Sequence, residues 1–290
     1  MKINVQNDLL RATFSSRGAE LQSLYNLPTQ TERLWNGDPA FWPKYSPILF
    51  PTVGGLKEDT YFFAGKEYHL LRHGFARERE FDILHQDETS VTFVLTQDEE
   101  TLKLFPFAFR LEIKYELLET RLRCTYAVSN PDDQPMYFSI GAHPAFALPL
   151  SPDEKFEDYY LEFNRDEELY RYPLVNNLIG LTPDTITLSQ RRLPLRYDYF
   201  TNDAIVLKDL KSNEIKLIST KHDHSLAFHF EDFPYFGIWT IPGAGFLCLE
   251  PWCGIGDNFE HNQQLTQKEG IIRLEKNQDW SRFWEVGVEG

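Results

Sequence analysis

The sequence predicts an all-β protein, a large antiparallel β-sandwich with a few short helices, and three features carry that expectation. Two adjoining segments, 109–118 and 121–129, alternate with period two. Leu111, Ile113, Tyr115 and Leu117 face away from Glu112, Lys114 and Glu116, and Leu122, Cys124, Tyr126 and Val128 face away from Arg123, Thr125 and Ala127. This is the pattern of a half-buried hairpin turning at Glu119-Thr120. Aromatic residues, which pack well on pleated surfaces, are abundant, with 23 Phe, 14 Tyr and 6 Trp. Helix signals, by contrast, are few and short.

Taken in order, the chain opens with a strand meander. Ile3 and Val5, Leu9 to Phe14, and Ala19 to Tyr25 are separated by Asn7-Asp8 and by Ser15 to Gly18, which are turn compositions. Trp35 to Trp42 is aromatic punctuation around a turn, with one helical turn after Asp38. Pro47 to Gly55 is apolar but broken by prolines, so a packed loop is expected there. Tyr61 to Phe63 and Tyr68 to Leu70 flank Ala64-Gly65-Lys66 as a hairpin. Thr96 to Leu104 reads as a helix capped by Thr and stopped by Pro106, and Gln263 to Glu269 as a second short one before Gly270. A further hairpin is expected between Ala204 to Leu210 and Glu214 to Thr220, across Lys211-Ser212-Asn213. Strands at Ser225 to Phe230, Gly237 to Ile241 and Phe246 to Leu249 complete the series. With no composition break or fixed-period repeat, residues 1–290 are expected to form a single domain.

Charge narrows the partners. Lys plus Arg number 29 against 44 acids, and the resulting −15 repels nucleic-acid phosphates and acidic membrane surfaces. A locally positive pocket remains compatible with that total. No apolar run suits a signal peptide or a membrane span, so a cytoplasmic location is expected. The three cysteines, Cys124, Cys248 and Cys253, have no metal-like spacing, and the first two sit in strand-like runs as buried thiols. Sequence does not specify an oligomeric state.

Three stretches carry candidate chemistry. Glu250 follows the apolar run 246–249, where a core strand is expected to end, and a carboxylate there is either ion-paired or held for chemistry. His73 lies between Arg72 and Gly74-Phe75-Ala76-Arg77, where the Gly would admit a ligand to the backbone and the Arg residues would supply donors. His143 follows the strand Met136 to Ile140, with Gly141 and Ala142 leaving room around its ring. Two imidazoles and a carboxylate suffice for general acid–base catalysis near neutral pH. His222, His224 and His229 invite a metal reading, but without a third ligand at supporting spacing the run reads as a solvated strand. Nucleotide, phosphoryl-transfer, serine-esterase and zincin motifs are absent, so neither a cofactor nor a metal is expected.

The segments GAELQSL (18–24), HGFAR (73–77), GAHPAF (141–146) and IWTIPGAGFLCLEPWCG (238–254) resemble, in the same order, the aldose 1-epimerase (galactose mutarotase) family. The stretch W…FW…PILFP…G at 35–54 is similar to its bacterial LacX-like branch. The resemblance implies a β-supersandwich and an enzyme that interconverts sugar anomers without a cofactor. It implies Glu250 as the base on the anomeric hydroxyl, His143 as the acid on the ring oxygen, and His73 as a hydrogen-bond partner sharing the proton role. Arg77 would bind the sugar. Where galactose mutarotases carry an Arg-rich segment, this chain has Gly54-Gly55-Leu56-Lys57, and where hexose-6-phosphate epimerases carry an Arg, it has Tyr45-Ser46-Pro47. An epimerase of hexose 6-phosphates and a carbohydrate-binding protein without turnover are the alternatives. A glycoside-processing enzyme would need a second carboxylate, for which only Asp203 offers itself.

Acid–base ring opening needs Glu250 ionised and His143 protonated in one resting state, an ordinary pKa order that their mutual attraction would reinforce. Trp239, on the strand leading to Glu250, is expected to form a wall against sugar C–H faces. Asp203, at the start of a strand, is expected to accept bonds from sugar hydroxyls.

Overall fold

A computed structural model describes residues 1–223 and 225–289. Two antiparallel sheets dominate it. The larger, nine-stranded sheet runs in the order Arg192–Pro194, Tyr159–Phe163, Glu214–Ser219, Ser225–His229, Asp279–Glu289, Arg121–Ser129, Arg110–Leu118, Ser90–Thr96 and Asp82–Gln86. The other is centred on Phe246–Cys253, flanked by Tyr235–Trp239 on one side and by Ile140–Ala142 and Ala145–Ala147 on the other. The inner faces meet through aromatic side chains: Phe228 of the larger sheet lies 5.8 Å from Phe146 and 6.2 Å from Phe236 of the second. A four-stranded meander, beginning with Lys2–Gln6, Leu10–Ser15 and Glu20–Asn26, packs Phe14 against Phe93 and Tyr115 of the larger sheet.

The period-two hairpin forms as expected, Leu118 facing Arg121 across the turn, with the apolar side chains of both arms buried and their polar neighbours half-exposed. The helix is shorter than expected, Glu99–Leu104, and its cap is Asp98 rather than Thr96. The Asp98 carboxylate accepts the Thr101 amide at 2.6 Å while the Thr101 hydroxyl accepts the Asp98 amide at 2.8 Å, which satisfies two otherwise orphaned groups. The second expected helix reduces to one 3-10 turn, Leu265–Gln267. Pro47 to Gly55 is mostly packed loop, with Ile48–Leu49 pairing as a two-residue strand.

Other expectations need correction. Ile205–Leu207 and Glu214–Ser219 are not a hairpin; the first joins the sheet of Phe246–Cys253 and the second the nine-stranded sheet. Lys211-Ser212 crosses between them, its amides donating to the Asp166 carboxylate at 3.1 and 2.7 Å. Nor does the central strand stop at Leu249. It continues to Cys253, so Glu250 sits within it rather than at its end. Pro251 is tolerated because the neighbouring ladder is interrupted between Gly141 and Ala145.

All three cysteines are buried free thiols. Among the described residues no helix is long and apolar enough to cross a membrane.

Candidate active site

The interruption beside the central strand creates the site. Ile140–Ala142 pairs with its C-terminal half and Ala145–Ala147 with its N-terminal half, leaving His143 and Pro144 in the gap. Pro144 cannot donate to a ladder, but its carbonyl still accepts the Leu249 amide at 3.3 Å. The gap therefore delivers the His143 ring to Glu250: Nε2 lies 3.4 Å from Oε2, and the side chains are only 10% and 2% exposed. Gly141 makes room for Trp252 rather than for His143, since a Cβ there would lie 2.6 Å from the indole. Gly237 on the other neighbouring strand does the same, at 2.4 Å.

His73 approaches from a tight turn in which its own φ is +71° and that of Gly74 is +70°. The expected role of Gly74 is also corrected: it admits the Phe50 carbonyl, which a Cβ would meet at 2.3 Å, and not a ligand. The His73 ring receives two donors, the Gly54 amide on Nδ1 at 3.2 Å and Arg72 Nε on Nε2 at 3.0 Å. A neutral imidazole has one acceptor nitrogen, so both donors cannot be satisfied at once. Gly54 is fixed backbone, whereas Arg72 is half-exposed and also reaches Asn177 Oδ1 at 2.8 Å and Asp203 Oδ2 at 3.5 Å. Arg72 is thus the donor free to move to another acceptor.

These groups line a cleft of about 360 Å³ that holds all six residues singled out from sequence: Glu250, His143, His73, Arg77, Asp203 and Trp239. Asp203 does not start a strand; it occupies a turn with φ +93°, and the strand begins at Ile205. Trp42, expected only as part of a turn, stacks on His143 with ring centroids 4.9 Å apart and planes at 28°. The amides of Phe41 and Trp42 both bond to the Asp38 carbonyl, forming the single helical turn that sets this ring. Trp239 meets His143 edge-on at 5.6 Å. Lys57 is not part of the cleft; its Nζ donates to the carbonyls of Phe259 and His261. The cation beside the histidines is Arg72, whose sequence signal is its adjacency to His73.

Electrostatics reverses the expected pKa order of the pair. Burial raises Glu250 well above the ordinary carboxylate range, helped by Asp203 and opposed by Arg72 and the nearby Trp252 indole. Burial first, then Arg72, pushes His143 down to about 3. His73 is lowered by burial, then by Arg72, His143 and Arg77. Desolvation disfavours the charged form of each group, so proton affinity rises on the carboxyl and falls on the imidazole.

Elsewhere, His222 contacts Asp153 at 3.2 Å and His229 contacts Glu214 at 3.0 Å, the contacts of a solvated surface. His224 lies outside the described residues. A larger groove of about 970 Å³, lined by mixed charges including Arg165, Glu167 and Arg191, contains no histidine.

A family model described as aldose 1-epimerase matches residues 1–273. The plasmid-borne protein LacX of Lactococcus lactis is 35% identical over 285 residues, covering 94% of this chain and 95% of that one. Among solved structures, a galactose mutarotase related enzyme from Lactobacillus acidophilus is similar with TM-score 0.96 at 31% identity, covering 100% of this chain and 98% of that one. A galactose mutarotase-like protein from Lactobacillus casei gives TM-score 0.92 at 33% identity, covering 99% and 100%.

Proposed function

The chain belongs to the aldose 1-epimerase family, and from that premise we propose that it interconverts the α and β anomers of an aldohexose by acid–base ring opening and closure at Glu250 and His143. The observation that carries this reading is the 3.4 Å approach of the two side chains on the floor of an aromatic-walled cleft.

The pair needs one proton, which occupies two positions in turn. At rest it lies on Glu250. Its transfer to His143 leaves a carboxylate and an imidazolium without changing net charge. The carboxylate takes the C1 hydroxyl proton as the imidazolium protonates the ring oxygen; the bond from C1 to that oxygen breaks and an aldehyde forms. Both groups are then neutral again, so the open-chain sugar faces the state that burial favours. After rotation about C1–C2 the ring hydroxyl adds to the other carbonyl face, His143 takes its proton, and Glu250 returns one to the C1 oxygen. His73, held neutral between two donors, suits orientation of the sugar near the ring oxygen, with Arg72 and Arg77 as donors to its oxygens. The same two guanidinium groups favour a second reading, an epimerase of hexose 6-phosphates.

Polarimetry on fresh α anomers of free and 6-phosphorylated aldoses tests both. Glu250→Gln and His143→Asn should each lower the rate by about 10²–10⁴-fold while leaving the fold intact. Full activity in either variant overturns the assignment, and sugar binding without faster equilibration identifies a binding protein instead.

A further inference from the structure

We propose that His143, Cys248 and Glu250 also form a capture site for a thiophilic divalent cation, Zn²⁺ or Cd²⁺, and that the captured ion stops proton exchange. The inhibition rests on the function proposed above; the binding does not.

Cys248 and Glu250 stand two residues apart on the central strand, so both side chains leave it on the same face. His143 enters from the gap in the adjoining ladder. One donor atom from each of the three lies within 4.8 Å of the other two. A tetrahedral zinc with bonds of about 2.0–2.3 Å holds its donors roughly 3.3–3.8 Å apart. The His143–Glu250 separation of 3.4 Å already meets that, so the sulfur is the donor that has to close in, by about 1 Å at most.

Nitrogen, sulfur and oxygen are all ordinary zinc donors, and the cleft leaves a fourth position for water. Cysteinate and carboxylate together cancel the charge of a dication, so the buried unit would be neutral. An ion can enter because His143 and Glu250 line the cleft, with the fully buried Cys248 beneath them. His143 Nδ1 is buried without a hydrogen-bond partner. Resident metal sites usually fix that second nitrogen, so its freedom points to reversible capture rather than a permanent cofactor.

The test titrates the intact protein with Cd²⁺, following the ultraviolet thiolate-to-cadmium absorption, alongside Zn²⁺ titration of mutarotation. The band should saturate at one equivalent in the wild type and persist in the Cys124→Ala, Cys253→Ala double variant. It should vanish in Cys248→Ala and in Cys248→Ser, the second variant guarding against misfolding of the first. Zn²⁺ inhibition should weaken in both by about tenfold or more, a loss that even an outer partner of a metal ligand can cause. No band in the wild type, or a band and inhibition unchanged in both Cys248 variants, overturns the proposal. A band in a protein without mutarotase activity refutes the enzymatic reading and leaves the site standing.

Discussion

Glu250 and Asp257 lie on one continuous stretch of chain and are equally buried, at 2% exposure, yet their surroundings differ in kind. Asp257 is closed on every side. Its Oδ1 accepts Lys268 Nζ at 2.6 Å, its Oδ2 accepts the Lys57 amide at 3.0 Å, and its own amide donates to the Gly55 carbonyl at 2.9 Å. Glu250 has an imidazole at 3.4 Å and an indole that completes no hydrogen bond. In the first region the cost of burying a carboxylate is offset by partners; in the second it is left open, and it appears as a raised proton affinity. The two are connected. The Asp257 clasp anchors Gly54 to Lys57, and the Gly54 amide is one of the donors that hold His73. A fully satisfied acid thus supports the segment beside an unsatisfied one.

The largest test of this contrast compares one substitution in each region. Asp257→Asn leaves the Lys268 ammonium buried without its counter-charge and should cost about 3–5 kcal/mol of stability by chemical denaturation. Glu250→Gln should cost none, because no strong partner is left exposed. If the two variants unfold at the same denaturant concentration, the distinction between a closed and an open carboxylate fails.

A second test uses the pH dependence of the rate. In the proposed mechanism the pair carries one proton, so activity should be lost on the alkaline side as the raised Glu250 group deprotonates, with no acid limb near the ordinary His value of 6.5, because burial pushes His143 down to about 3. Arg72 opposes the rise of Glu250, so Arg72→Gln should move the alkaline limb to higher pH. An acid limb near 6.5 in the wild type, or a limb moving downward in the variant, would mean that burial does not control the pair.

Stability should record the same inversion more quietly. A carboxyl whose pKa is raised in the folded state stabilises the fold fully below its unfolded value, near 4.5, and loses that contribution as pH rises through the folded value. Gln at position 250 has no such dependence. Relative to Glu250→Gln, the wild type should therefore lose stability steadily as melting is followed upward from pH 4.5. A constant difference in melting temperature across that range contradicts the raised pKa.

Much of this is legible in the sequence, for identifiable reasons. The hairpin Arg110–Leu118 and Arg121–Ser129 announced itself because its faces differ in burial, and period-two alternation records that difference directly. The chain from Ile205 to Ser219 misled because Lys211-Ser212-Asn213 has the composition of a turn, and composition does not say whether a chain returns or crosses to another sheet. Glu250, His143 and His73 were legible as chemistry-bearing types in tight, apolar contexts. Trp42 was not, because its place over His143 depends on a single helical turn packing across the cleft. The pKa order of the pair is illegible for another reason: it depends on how completely the two groups are desolvated, which no local pattern encodes.

The smallest expected effects belong to the cleft wall, where the same contrast can be sharpened within one site. Trp239 and Trp42 meet edge to face with ring centroids 5.5 Å apart, but they hold different positions relative to His143. Trp42 lies flat on His143, whereas Trp239 presents an edge to it, so removing Trp239 takes away apolar surface without unstacking the imidazole. Contacts made equally in ground and transition states change KM and spare kcat. Trp239→Leu should therefore raise KM roughly 2–10-fold, the size of one aromatic contact, with kcat nearly constant. Asp203→Ala should also act mainly on KM, since that carboxylate steadies Arg72 at 3.5 Å rather than touching Glu250 directly. Trp42→Leu should lower kcat as well, because the ring that positions His143 is lost. Steady-state polarimetry with separate kcat and KM values distinguishes these outcomes. If Trp239→Leu and Asp203→Ala both keep wild-type KM for every aldose tested, the sugar does not bind against this wall.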